Sequence, residues 1–298
     1  MKKAKAGLVL MIDAEGEFGR IPFSPRDKLK HKLFMFASSL LGLDYSIKTL
    51  KNMVGILKKY NVPATFFFVG ALLLKNKDKK ILNEYLERDI KTKYLWGKGK
   101  LKKVIPFWGS YVQKEFKNSI LEVSIHNFLH ESNFSEPDEN IDKSIKFSKV
   151  AAKNLGFRVN TYAAPWFELE DPKNPSRAYN ILKKNGINVT RFDGVRKKYE
   201  KLVFKDRKNG FYNRFGVNCV YSSHFIGNGK VDLEEQREIE EGIKKAIKNK
   251  SIYALSTHET TFLRHGLKHF EDIIKIIKKY EKDLNIATLY DMSKAFRR

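Results

Sequence analysis

The sequence predicts an α/β protein with a largely parallel sheet, close to a barrel in its repeat number, and three observations carry that prediction. Apolar runs of strand length alternate with segments of helical period about seven times along the 298 residues, close to the repeat number of a (β/α) barrel. Hydrophobic residues make up 42% of the chain and aromatics 13%, which supports one large core and argues against disorder, collagen or a coiled coil. Acids and histidines stand where strands end, at Asp13, Glu15, His126 and His258. In α/β sheets and barrels that edge is where sites are built.

The elements follow in order. Residues 7–13 (GLVLMID) read as a buried first strand. Between 46 and 60, Ile47, Leu50, Val54, Ile56 and Leu57 fall mostly on one helical face, and residues 62–69 (VPATFFFV) follow as a continuous apolar strand. Further strands are expected at 121–125, 159–163, 189–192, 252–256 and 285–288, with helices at 140–154, 176–184, 233–248 and 268–280. The whole chain, 1–298, reads as a single domain. Two stretches, about 14–43 and 71–110, break the rhythm directly after strands, so both are expected to project over the C-terminal strand edge and flank the site.

Charge is lopsided: 58 Lys and Arg against 34 Asp and Glu give +24, a field that attracts anions. Basic and aromatic residues interleave in the insertions, with Arg26, Lys28, Lys30 and Lys32 before Phe34 and Phe36, and Lys91, Lys93, Lys98 and Lys100 around Tyr94, Trp96, Phe107 and Trp108. That mixture suits an anionic membrane surface or a lipid phosphate. It equally suits aromatics packed on the barrel beneath a solvated lysine face. Lysine is spread along the entire chain, so nucleic acid is the weaker reading of the charge. A single cysteine, Cys219, excludes an internal disulfide and a cysteine-based metal site, in keeping with a reducing compartment. The apolar run near the start stops at Asp13, so neither a secretory leader nor a membrane span is expected, and a cytoplasmic protein, peripheral at most to the inner membrane face, is.

The strongest chemical signal is His126-Asn127-Phe128-Leu129-His130. Two histidines at i and i+4 on a helical turn would project both imidazoles to one side, as a metal requires. Asp13 and Glu15, two residues apart in extended chain, place two carboxylates on one side, although helix capping would also explain them and Glu17 competes with Glu15. His258 brings a further imidazole to the same edge. Two histidines and one carboxylate leave metal positions open, while a second carboxylate and a histidine across the pocket supply base and acid. The chemistry is hydrolysis of an amide or ester. His265 and His269 form a second i, i+4 pair, but no strand-end carboxylate accompanies them and a chance pair on a helix face explains them.

The segments 59–70 (KYNVPATFFFVG) and 122–130 (EVSIHNFLH), with 12–15 (IDAE) and 254–259 (ALSTHE), resemble the polysaccharide deacetylases of the NodB-homology type, carbohydrate esterase family 4, across nearly the whole chain. The resemblance implies a distorted (β/α)7-type barrel, a divalent metal, zinc by family habit, on Glu15, His126 and His130, Asp13 as base and His258 as general acid. Where many relatives carry Arg-x-Pro-Tyr this chain has Ala163-Ala164-Pro165-Trp166, so the arginine that would brace the catalytic aspartate is missing. Arg191 is a candidate replacement from the next strand, and Asp193 a candidate to orient His258. By the same resemblance the backbone N–H of Trp166 would face the oxyanion, unless Trp166 is a core or pocket-wall aromatic. The Asp-x-Glu form, the lost arginine and the segment 93–96 (KYLW) are also similar to deformylases acting on formamido-arabinose carried by a polyprenyl phosphate. The implied partner is then an amino sugar, free or lipid-linked. Three rival readings stand beside this one: a hydrolase of small amides such as ureides, an inactive barrel that binds an anionic surface or nucleic acid, and a purely structural protein, which would leave the acids and histidines at strand ends unexplained.

Overall fold

In the computed structural model the described residues are 5–16, 45–87, 107–171, 173–192, 210–227 and 232–295. Most of the first insertion, about half of the second including the 93–96 segment, His31 and Asp193 lie outside them. Seven parallel strands form the wall: β1 (Ala6–Ala14), β2 (Ala64–Phe68), β3 (Leu121–Ile125), β4 (Thr161–Ala163), β5 (Val189–Phe192), β7 (Val217–Tyr221) and β9 (Ile252–His258). They neighbour one another in the order β7-β5-β4-β3-β2-β1-β9. A hairpin strand, β6 (Phe211–Arg214), runs antiparallel on β7, and the short β8 (His224–Phe225) pairs with β9. The ring is completed by the chain passing from β7 to β8. Ser222 N–H donates to Phe192 on β5 at 3.1 Å, and the next residue, Ser223, donates to Ala254 on β9 at 2.8 Å. This is the α/β barrel the repeats predict, in the distorted form the resemblance implies.

Strand parity decides what each face does. On β1, Leu8, Leu10, Ile12 and Ala14 join the main core beneath the helices, whereas Val9 and Met11 join a second cluster inside the barrel with Phe67, Ala163, Val189, Val220, Ile252 and Ala254. Helices α1 (Tyr45–Tyr60), α4 (Asp138–Asn154), α5 (Arg177–Lys184), α6 (Leu233–Asn249) and α8 (Leu267–Lys279) cover the outside. Asp232 caps α6, accepting the N–H groups of Glu234 and Glu235, and so satisfies donors the helix leaves open. The final strand β10 (Leu284–Ile286) pairs with the first residues of β1, and helix α9 (Leu289–Ala295) closes the bottom. There Thr65 accepts the Leu289 N–H at 2.8 Å, and the half-buried Glu122 accepts from Tyr290 N–H and from the hydroxyls of Thr65 and Thr161.

Periodicity did not anticipate four short helices, α2 (Lys79–Leu86), α3 (Gly109–Phe116), α7 (Glu259–His265) and α9, nor the β6–β7 hairpin. Residues 126–130 form no helical turn: Asn127 and His130 are left-handed, with φ of 55° and 60°. Among the described residues no helix is long and apolar enough to cross a membrane.

Candidate metal and acid–base site

The inward positions of the strands become chemical at their C-terminal ends. Continuing the parity of Val9 and Met11, β1 presents Asp13 and then, just past its end, Glu15, both nearly inaccessible at 1% and 4%. His258 is the register partner of Asp13 across β1 and β9. His126 follows the last residue of β3, its N–H donating to Phe68 on β2 at 2.8 Å. His130 returns to the same point through the left-handed turn.

That turn is built by a buried polar network. The Glu131 carboxylate accepts the Leu129 N–H at 3.0 and 3.1 Å, the Tyr85 hydroxyl at 2.5 Å and the Ser144 hydroxyl at 2.9 Å. Asn127 donates to the Glu131 carbonyl and to Asn133, and accepts from the Tyr162 hydroxyl. Burial pushes the Glu131 carboxyl up, against these donors. The Trp166 indole donates to the His130 carbonyl at 3.2 Å, and its ring meets the His130 ring edge-on at 4.8 Å.

The Nε2 atoms of His126 and His130 lie 3.1 and 3.0 Å from one oxygen, Glu15 Oε1. His126 Nδ1 sits 2.9 Å from the Ala163 carbonyl, which can only accept, so Nδ1 carries a proton and Nε2 is the nitrogen turned toward Glu15. Two imidazole nitrogens converging on one carboxylate oxygen is an arrangement that a cation can occupy. Two imidazoles and a carboxylate with the second ring nitrogen fixed by a carbonyl is a donor set that suits a divalent metal of the zinc type. Burial favours neutral forms here, but His130 and His258 outweigh it at Glu15, whose carboxyl is held well below the usual range.

Asp13 is gripped from the other side. Arg191 on β5 makes a two-pronged ion pair with it, at 2.6 and 2.7 Å, with both side chains fully buried. Burial raises the Asp13 carboxyl and the guanidinium, with His126 and His258, lowers it further than that, so the group stays ionised. Arg191 is the register partner of Ala163 on β4, the position where the resemblance would place an arginine. His258 Nε2 lies 3.3 Å from Glu15 and 3.6 Å from Asp13, and 27% of its side chain is in solvent. Against the desolvation it suffers, Glu15, Asp13 and Glu259 raise it to about 9.

Six of the residues singled out from the sequence, Asp13, Glu15, His126, His130, Arg191 and His258, thus meet in one cleft of about 250 Å³, and Trp166 forms part of its wall. Asp193 lies outside the described residues. His265 lines the cleft, but Gly266, at φ 87°, breaks the chain into separate helices between it and His269. Sequence reasoning overlooked Glu259, fully buried, whose carboxylate takes the backbone N–H of Glu15 at 3.2 Å and of Gly16 at 2.6 Å and so fixes the end of β1. Burial and the nearby Glu15 charge push that carboxyl up to about 8. Its place directly after His258 was the available signal.

No protein-family model matches the sequence, and no curated protein does. Solved structures do match. Over its entire length the chain superposes on 92% of a candidate polysaccharide deacetylase from Mycobacterium smegmatis, with a TM-score of 0.62 at 13% identity. It also superposes, over 98% of its residues, on 41% of the longer 4-alpha-glucanotransferase from Thermococcus litoralis, with a TM-score of 0.56 at 12% identity. The class defined by these likenesses is the distorted α/β barrel of the NodB kind. Because a deacetylase-type chain and a glucanotransferase share the fold, the chemistry must be argued from the site.

Proposed function

We propose that this chain is a hydrolase that removes an N-acyl group, acetyl or formyl, from an amino sugar with the help of one divalent metal ion. The observation that carries the reading is the convergence of the His126 and His130 Nε2 atoms on Glu15 Oε1, beside an arginine-held Asp13 and a partly exposed His258. Glu15, His126 and His130 would hold the metal. When bound, such an ion polarises an acyl carbonyl and acidifies water.

The protein's own groups supply the proton traffic. Asp13, kept ionised by Arg191, takes a proton from the attacking water as its oxygen joins the acyl carbon. In the left-handed conformation at Trp166, with φ 60° and ψ 15°, the backbone N–H of that residue is assigned to the carbonyl oxygen as it becomes negative. The C–N bond then breaks, and His258, held toward its protonated form by Glu15, Asp13 and Glu259 against the effect of burial, gives its proton to the departing amine. The products are a carboxylic acid and a free amino sugar. A polyprenyl-phosphate-linked formamido sugar is the narrower form of this reading, supported by the Asp13-x-Glu15 order, Ala163 and the basic, aromatic insertions.

Elemental analysis of the purified protein beside a His126→Ala, His130→Ala variant tests the site. About one divalent metal per wild-type chain is expected, with loss in the variant. Release of acetate or formate from N-acyl sugars by the wild type then tests the reaction. Metal absent from both proteins after reconstitution with zinc or cobalt would overturn the mechanism.

A further inference from the structure

Two consecutive aromatic residues at the lip of the cleft, Trp166 and Phe167, both have φ of 60°. Bulky side chains rarely adopt the left-handed region, and each such residue costs on the order of 1 kcal/mol or more. Strain of this kind persists where the surroundings enforce it, and for Trp166 the surroundings are plain: its indole is bonded to the His130 carbonyl. Among the described residues the Phe167 side chain has a ring contact with Phe225 and no hydrogen bond of this kind. Its side chain is not buried as a consequence of the strain, for the residue keeps 39% of its surface in solvent, on the wall of the cleft. A ring driven out of a favourable backbone conformation in order to remain exposed is the reverse of what core packing produces.

The ring stands edge-on to Phe225 from β8, 5.6 Å between centroids at 88°, and Phe225 in turn lies 5.0 Å from the His258 ring. A run of ring contacts therefore leads from Phe167, through Phe225 behind it, to the imidazole assigned to protonate the leaving group. The lining of the same cleft includes Thr260, Thr261 and His265 of α7, which are hydrogen-bonding groups. An exposed aromatic face in a cleft that also offers hydroxyls fits a ligand that has one C–H face and a polar rim, which describes a pyranose ring.

We infer that Phe167, backed by Phe225, is the sugar-binding platform of this cleft, stacking on the apolar face of a hexopyranose whose acyl nitrogen is directed toward His258. The inference rests on the proposed hydrolase reading for the direction in which the sugar points, but binding itself requires no turnover. Strained backbone at Phe167 is the device that holds the ring out to the ligand.

The test is calorimetric binding of N-acetylglucosamine trisaccharide, paired with thermal melting and with turnover of a small aryl acetate. Phe167→Ala should weaken trisaccharide binding about tenfold, the scale of one lost ring face, while Phe167→Tyr retains it. Phe167→Gly should weaken binding equally yet melt higher than Phe167→Ala, because glycine relieves the left-handed strain. A residue serving only to pack would lose stability in step with binding in all variants. Equal trisaccharide affinity in wild type and Phe167→Ala, or no saturable binding to the wild type, would overturn the inference. Phe167-dependent binding without any hydrolysis would leave the platform standing and remove the hydrolase reading. Aryl acetate turnover by a wild type whose sugar affinity ignores Phe167 would do the opposite.

Discussion

At Asp13 the site depends on one long-range partner. A carboxylate with 1% exposure is tolerable because Arg191 presents two N–H groups to its two oxygens in the fork geometry that lysine cannot reproduce. Arg191→Ala would leave a buried, unpaired charge, a loss of about 3–5 kcal/mol if the anion persists. The carboxyl escapes part of that by binding a proton more readily. Its pKa therefore rises, and the acid limb of the kcat against pH profile should move to higher pH, with kcat at neutral pH down on the order of a hundredfold. Arg191→Lys should recover only part. Because Ala163 and Arg191 are register partners on adjacent strands, their side chains leave the sheet on the same face, so Ala163→Arg in the Arg191→Ala background should return activity and shift the acid limb back. No recovery in that double variant would show that the exchange of strands is not equivalent. The sequence displays the missing arginine at 163 and an arginine at 191, but their adjacency follows from a parallel register that no local pattern specifies.

At the scale of elements, what was legible followed periodicity and what was not followed tertiary contacts. Helices α4, α5, α6 and α8 lie within about two residues of their expected spans because each buries one stripe, as with Ile273, Ile274 and Ile277 on α8. The histidine motif was legible as ligands and misread as a helical turn. Ser144, Phe68, Gly70 and Ala71 bond its backbone from elsewhere in the fold, with Asn127 and Glu131 adding bonds from within and beside it, and that outweighs the local i, i+4 pattern. The β6–β7 hairpin did leave a signal: Phe215 and Gly216, with φ of 48° and 86°, form a two-residue turn between strands, and the glycine marks it. The junction of α4 with α5 makes a testable case of how elements are locked. Asp142 on α4, largely buried, accepts from Asn185 at 2.7 Å and pairs with Lys184 at 3.1 Å and with Lys146 at 2.7 Å on its own helix. Burial raises its carboxyl and these donors lower it further, below its ordinary 3.8. A depressed folded value means the contribution is full above 3.8 and is lost as pH falls through the folded pKa. Asp142→Asn should therefore cost about 1 kcal/mol in urea unfolding at pH 7, and the gap from wild type should shrink as pH falls below 3.8 and through the lower folded pKa. A gap of unchanged size at low pH would assign the loss to packing instead of charge.

Across the whole molecule, the same inward-facing parity that makes the upper end reactive makes the lower end dry. Inside the barrel Val9, Met11, Phe67 and Ala254 separate the site from the closing helix α9, whose Leu289 and Met292 complete the cluster. The close fit there is visible at Gly7, where an added Cβ would lie 2.9 Å from Met292 Sδ and 3.0 Å from Ile252. A side chain at that point would need the Met292 thioether and the Ile252 side chain to shift, and a branched one more so. Stability and chemistry thus occupy opposite ends of one barrel, and they should respond separately to substitution. Met292→Ala removes a buried side chain from the bottom and is expected to cost about 2–5 kcal/mol, while Gly7→Val should overpack the same place for about 1–3 kcal/mol. In both variants the protein that remains folded should bind one divalent metal as tightly as wild type, measured below the lowered melting temperature. The His126→Ala, His130→Ala variant should show the reverse: its metal is lost, and addition of metal no longer raises the melting temperature as it does in the wild type. Metal affinity that falls in Met292→Ala along with stability would mean that the apolar layer transmits strain from α9 to Glu15 and the histidines. The two ends would then form one cooperative unit instead of a support and a site.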